Sequence, residues 1–209
     1  MQKYRSILFV LLVLYTVGII GIGSNYWPPF ILLTPINLLV SLGLVLWNHP
    51  SKGTSLALFI GLVFIIGWSA EWFGVNTGLL FGQYAYGKTL GPKIAETPLM
   101  IGVNWVMITY TAGMVVNHWA FYQKKWLKII IAATLMVGID FFIEPVAPLL
   151  DFWSWENDSV PIQNYWGWFA VSLLVQFIFF KLMGDEQNKA GSALFFIQLG
   201  FFVILNLIL

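Results

Sequence analysis

The 209-residue chain is 59% hydrophobic and 9% charged, with a mean hydropathy of +0.83 and a net charge of +1. A soluble domain carries about 25% charged residues, so this chain cannot cover a soluble fold, and the same figures exclude disorder. A charge of +1 sets up no field for nucleic acid, and the lack of cysteine removes disulfides, thiolate nucleophiles and thiolate-held zinc.

The apolar stretches run without interruption instead of alternating in blocks of about ten, which specifies helices over a barrel. The expected fold is all-α, a polytopic membrane helix bundle forming one integral domain over residues 1–209. Seven spans are expected, at residues 6–23, 30–47, 54–72, 98–117, 126–147, 165–183 and 191–209. Each is long enough for about 30 Å of hydrocarbon at 1.5 Å per residue. Met1-Gln2-Lys3-Tyr4-Arg5 ahead of the first stretch imitates a signal peptide, but no small-x-small cleavage pattern follows, so the stretch reads as a retained span. Turn chemistry separates the spans at Trp27-Pro28-Pro29, Asn48-His49-Pro50-Ser51, Gly91-Pro92, Pro148 and Gly184-Asp185.

Basic residues set the expected orientation in the cell membrane. Lys3, Arg5, Lys52, Lys124, Lys125, Lys128, Lys181 and Lys189 fall on one side, and only Lys88 and Lys93 on the other. The first side is then cytoplasmic, with the N-terminus inside. Glu71, Asn104, Asp140, Glu144, Asp151, Glu156 and Asp158 all map to the opposite side, together with loops 73–97 and 148–164.

Asp140 and Glu144 stand four apart in Gly138-Ile-Asp140-Phe-Phe-Ile-Glu144-Pro145, so a helix presents them on one face. Carboxylates inside a membrane are costly and mark function. Two so close do not both ionise readily, so one is expected to hold a proton and serve as a general acid. Snorkelling to the interface, or pairing with Lys88 or Lys93, is the structural alternative. Glu71 in Trp68-Ser-Ala-Glu71-Trp72 reads equally as a span-ending interfacial group or a site residue, and Asn104 as a clamp between helices or a site residue at the depth of the acids. Gly74, Gly78 and Gly82, spaced by four, form a smooth groove if helical, whereas Asn76-Thr77-Gly78 alone reads as a turn. The segment is too apolar for a free loop and is expected in the interface or re-entering the membrane. Asp151-Phe-Trp153-Ser-Trp155 is acidic and aromatic at the same end, and reads most simply as an aromatic belt. His49 and His118 lie at the other end, which argues against histidine-built zinc or di-iron chemistry.

Glu71-Trp-Phe-Gly74-Val-Asn76-Thr77-Gly78-Leu-Leu-Phe81-Gly82-Gln-Tyr84-Ala-Tyr86, Asn104-Trp105, Asp140-Phe-Phe-Ile-Glu144-Pro145-Val-Ala147 and Trp153-Ser-Trp155 resemble the membrane carotenoid hydratase family. That family includes bisanhydrobacterioruberin hydratases and carotenoid 1,2-hydratases. The resemblance covers residues 68–168 and is most specific in the glycine-aromatic stretch. It implies addition of water to the terminal C1–C2 double bond of an acyclic, lycopene-like or γ-carotene-like end, giving a tertiary 1-hydroxy group. On that reading Asp140 or Glu144 protonates C2, and Trp72, Trp105, Trp153 and Trp155 face the cation. Glu71, Asp151 or the second acid of the pair takes the proton from water, Asn76 and Asn104 orient that water, and Tyr84 and Tyr86 belong to the binding site. Hydration moves no electrons, so no redox cofactor and no metal is expected; membrane lipid surrounds the substrate. The sequence leaves oligomeric state open.

Two other classes compete. An intramembrane prenyltransferase needs a second acidic motif and basic residues for diphosphate, and the acidic end offers only Lys88 and Lys93. A retinal photoprotein needs a lysine in the seventh span, and residues 191–209 contain none. A passive carotenoid-binding or transport protein remains compatible with the composition.

Overall fold

A computed structural model describes residues 2–24, 30–119 and 124–209. The Trp27-Pro28-Pro29 punctuation lies outside the described residues. Among the described residues seven helices follow one another as α1 (Gln2–Ile22), α2 (Thr34–Trp47), α3 (Thr54–Thr77), α4 (Leu99–Trp119), α5 (Lys125–Ile143), α6 (Ile162–Leu182) and α7 (Lys189–Ile208). All except α2 are long and apolar enough to cross a membrane, so the protein is a multi-pass membrane bundle.

The second span differs from the expected 30–47. Residues 32–33 form a turn, and α2 restarts with Pro35 in its first turn, where a missing N–H costs nothing. Its 14 residues cover about 21 Å. It still joins the two ends of the bundle. Asn48 just past its end donates to Asn188 at 2.8 Å, while Pro35 at its start lies beside Gly91 in the opposite loop.

α4 is the central helix: every residue from Trp105 to Asn117 is buried. It packs against α2, α3, α5, α6 and α7, whereas α1 sits at the edge against α7 and α2. The outer helices expose Phe9, Ile20, Ile36, Ile65 and Leu207, as lipid-facing surfaces do. Water cannot drive such helices together, so close packing must. A Cβ on Gly67 would lie 2.4 Å from Trp105, so α3 reaches the Trp105 indole only because residue 67 is glycine.

At the acid-rich end the loops are ordered and closed. β1 (Tyr84–Tyr86) pairs antiparallel with β4 (Trp153–Trp155), and β2 (Lys93–Ile94) with β3 (Thr97–Pro98). In the first ribbon Tyr84 faces Trp155 and Tyr86 faces Trp153. Strand side chains alternate, so Ala85 and Ser154 point out while all four aromatics point into the bundle. The glycine spacing does not make a helical groove. α3 ends at Thr77, and Gly78 takes the left-handed conformation (φ 67°) that closes a helix.

At the other end Lys128 Nζ meets Asp185 at 2.6 Å, and His49 lies 3.0 Å from Glu186 and 2.8 Å from the Tyr110 hydroxyl.

Candidate active site

Three carboxyl groups are buried beneath the aromatic ribbon. Glu71 comes from the last turns of α3, Asp140 from the last turn of α5, and Glu144 from the residue that caps α5. Glu144 keeps helical dihedrals, and its N–H bonds to the Asp140 carbonyl at 2.9 Å, so the four-residue spacing does put both acids on one face. Exposures of 3% for Glu71, 0% for Asp140 and 2% for Glu144 rule out snorkelling. Among the described residues none of the three is in an ion pair with Lys88 or Lys93; Lys93 donates instead to the Tyr86 carbonyl.

Neutral donors replace the missing cations. Tyr84 and Tyr86 each donate to Glu71 Oε2 at 2.6 Å, and Trp105 Nε1 donates to Oε1 at 2.9 Å. Trp153 and Trp155 Nε1 donate to Glu144 Oε2 at 3.1 and 2.7 Å. Asn164 Nδ2 donates at 3.0 Å to both Asp140 Oδ2 and Glu144 Oε1. Burial first, and then the nearby Glu71 charge, hold the Tyr84 and Tyr86 hydroxyls well above the usual phenol range, so both stay protonated donors. The strand alternation is what allows this: each ribbon strand brings two polar aromatic tips to one carboxyl group.

Glu71, Glu144 and Asn164 line a cavity of about 10 Å³ whose walls are Phe81, Tyr84, Tyr86, Ile101, Trp153, Trp155 and Trp168. That is space for about one water. Trp105 and Trp168 stack at 4.2 Å between ring centroids beneath it. Ile101 and Trp153 also line a second, larger cavity of 210 Å³. This is an apolar groove between α1, α2 and α7, edged by the lipid-exposed Val17, Leu33, Ile36 and Val40. Asn104 and Gln198 are among its few polar groups.

The structure therefore brings together Glu71, Asp140, Glu144, Tyr84, Tyr86, Trp105, Trp153 and Trp155. It separates four other expected site residues from the small cavity. Trp72 points outward and is 43% exposed, because it follows Glu71 by one position and so turns to another helix face. Asn76 is exposed and donates to the Trp72 and Ala95 carbonyls, holding a loop. Asp151 is exposed with φ 52°, and its carboxylate accepts from the Lys88 N–H at 2.9 Å, so it fixes the turn before β4. Asn104 lies along the groove and not against the acids. Asn164 and Trp168 were not expected. The signal for Asn164 is an amide, next to Gln163, at the mouth of an apolar helix, level with the acids of its neighbour. Among the described residues no group of three or more His, Cys, Asp or Glu is arranged to hold a metal.

The site is thus a set of carboxyl groups without cation partners, enclosed in a membrane helix bundle beside a lipid-facing apolar groove. The chain belongs to the carotenoid biosynthesis protein family, whose pattern it matches over residues 30–209. It is 32% identical over 107 residues to a bisanhydrobacterioruberin hydratase of Haloarcula japonica. The match covers 47% of this chain and 36% of that relative, so the chain spans about a third of the relative's length. No solved structure matches.

Proposed function

We propose that the protein is a carotenoid hydratase, adding water to the terminal C1–C2 double bond of an acyclic carotenoid end to give a tertiary alcohol. The observation that carries this reading is the set of three enclosed carboxyl groups, free of cations, two of them on a small cavity that shares Ile101 and Trp153 with a groove edged by lipid-exposed residues. The 210 Å³ groove is smaller than typical whole-ligand pockets of about 300–1,000 Å³. It suits one end of a rod-like polyene whose remainder stays in the bilayer.

Each residue then has a role. Asp140 and Glu144 share the Asn164 amide and resist carrying two charges, so the pair holds a proton. Glu144 is its member on the cavity wall and delivers the proton to C2. Asp140 lines neither cavity and acts through Glu144. The cation at C1 is tertiary and meets Trp153, which lines both the groove and the acid cavity. Glu71, on the same cavity and held by three donors, takes the proton released as water bonds to C1. One proton leaves Glu144 and one arrives on Glu71, so the total charge of the enzyme is unchanged, and return of that proton from Glu71 to the pair resets the site.

Co-expression with a lycopene-forming pathway tests the proposal. Carotenoids that gain the mass of one or two waters support it. Unchanged carotenoid bound to the purified protein would favour a passive binding role.

A further inference from the structure

One helical turn beneath the Trp105–Trp168 pair lies a second polar cluster. Thr109 follows Trp105 by four residues on α4; Ser172 and Gln176 follow Trp168 by four and eight on α6. Residues so spaced share a helix face, so all three point where the indoles point. All three are 0% exposed. Gln176 Nε2 donates to the Thr109 carbonyl at 2.9 Å and lies 3.1 Å from Met136 Sδ, which places the cluster where α4, α5 and α6 meet.

Three oxygens there are left over. Thr109 Oγ1, Ser172 Oγ and Gln176 Oε1 have no hydrogen-bond partner among the described residues. More than about 90% of buried polar groups are partnered. Serine and threonine in membrane helices ordinarily turn back onto a carbonyl of the preceding turn, as Thr111 and Thr134 do at 2.8 and 2.9 Å. Thr109 and Ser172 do not. Two hydroxyls that can donate or accept, and one amide oxygen that accepts, complement a molecule with two donors and two lone pairs. A water that donates to Gln176 and one hydroxyl, and accepts from the other hydroxyl, makes the three bonds usual for buried water.

We infer that Thr109, Ser172 and Gln176 bind water in the middle of the bundle, and that this site is the store from which the reaction's water is drawn. The storage role rests on the hydration proposal; the binding site does not. The substrate groove is lined mostly by apolar side chains, so it offers water few polar footholds beside the polyene. The cluster offers one a helical turn from the stacked indoles, of which Trp168 also lines the acid cavity.

Thermal unfolding of the purified protein in detergent decides whether water is bound. Thr109→Val and Ser172→Ala keep shape and delete a hydroxyl. If a water joins the oxygens, each variant should lower Tm by about 2–4 °C. The double variant should lose less than the sum, because both act on the same water. Thr109→Ser should keep Tm near the parent value. If the oxygens are bare, deleting each hydroxyl relieves a cost, Tm rises, and the site is overturned. Hydration of lycopene, measured well below Tm, tests the store: a several-fold slower rate in Ser172→Ala supports it. An unchanged rate with a lowered Tm overturns the store and leaves the water site standing. Wild-type protein that hydrates nothing overturns the hydration proposal, while the Tm series still tests the site.

Discussion

Replacing Asn164 by leucine tests how the acid pair is held. The side chain is 2% exposed, and its amide makes two bonds of 3.0 Å, one to each acid. Leucine has similar bulk and no donor, so both carboxyl oxygens lose their partner at once. Orphaning a buried acceptor costs about 1–3 kcal/mol, so the pair should cost about 2–6 kcal/mol. At about 2–4 °C per kcal/mol for a chain of this size, Tm should drop by roughly 5–20 °C. Glu144 also loses the contact that fixes its Oε1 towards the cavity, and misplacement by about 1 Å can cost about 10²-fold in rate. Thermal unfolding in detergent and carotenoid product analysis below the lowered Tm provide the two readings. An Asn164→Leu variant with the parent Tm and the parent rate would refute the reasoning: the amide would then neither satisfy nor aim the acids.

Further outcomes follow from other contacts. Tyr86→Phe removes one of three donors to Glu71; a hydrogen bond to a charged group is worth about 1.5–3 kcal/mol, so Tm should fall by about 3–12 °C, and hydration measured below it should slow about 10- to 100-fold. Gly167→Ala puts a methyl 2.4 Å from the Leu80 carbonyl oxygen, so α6 must move from the loop that carries Phe81; denaturation should show a loss of about 1–3 kcal/mol. His49 is enclosed beyond the end of α2, and burial lowers its pKa from 6.5 more than Glu186 raises it. The unfolded imidazole therefore takes up a proton near pH 6.5 while the folded one resists, so stability falls as pH drops below about 6.5. His49→Gln should flatten that part of the Tm–pH profile.

The sequence exposed some of this site because membrane helices make unpaired charge conspicuous. Asp140 and Glu144 stood out by spacing, Glu71 by its place at a span end, and the aromatic pairs of residues 84–86 and 153–155 by composition. Tyr-Ala-Tyr and Trp-Ser-Trp both alternate, which is the period of a strand, yet two three-residue strands so far apart in sequence cannot be matched from one chain. Without that pairing the aromatics look like an interfacial belt, and their bonds to the acids stay hidden. Asn164 lies just before the expected sixth span, in its actual first turn, so it read as boundary and not as site. Trp72 and Asn76 follow Glu71 by one and five positions, and at about 100° per residue a helix turns both away from the Glu71 face. The short second helix was hidden because residues 30–47 carry no charge and are mostly apolar, and hydropathy does not register a turn ahead of Pro35.

The most direct test of the central claim is the carotenoid profile of cells that form lycopene and express either the wild-type protein or Glu144→Gln. The amide keeps the size of Glu144 and can still accept from Trp153 and Trp155, but it cannot protonate an alkene. General acids contribute about 10²–10⁴-fold, and a weakly basic alkene should fall at the upper end. The wild type should yield carotenoids heavier by one or two waters, while the variant, present in the membrane in equal amount, should leave lycopene unhydrated. Equal hydration by both proteins would contradict the assignment of Glu144 as the proton donor, and with it the account of how these buried acids work.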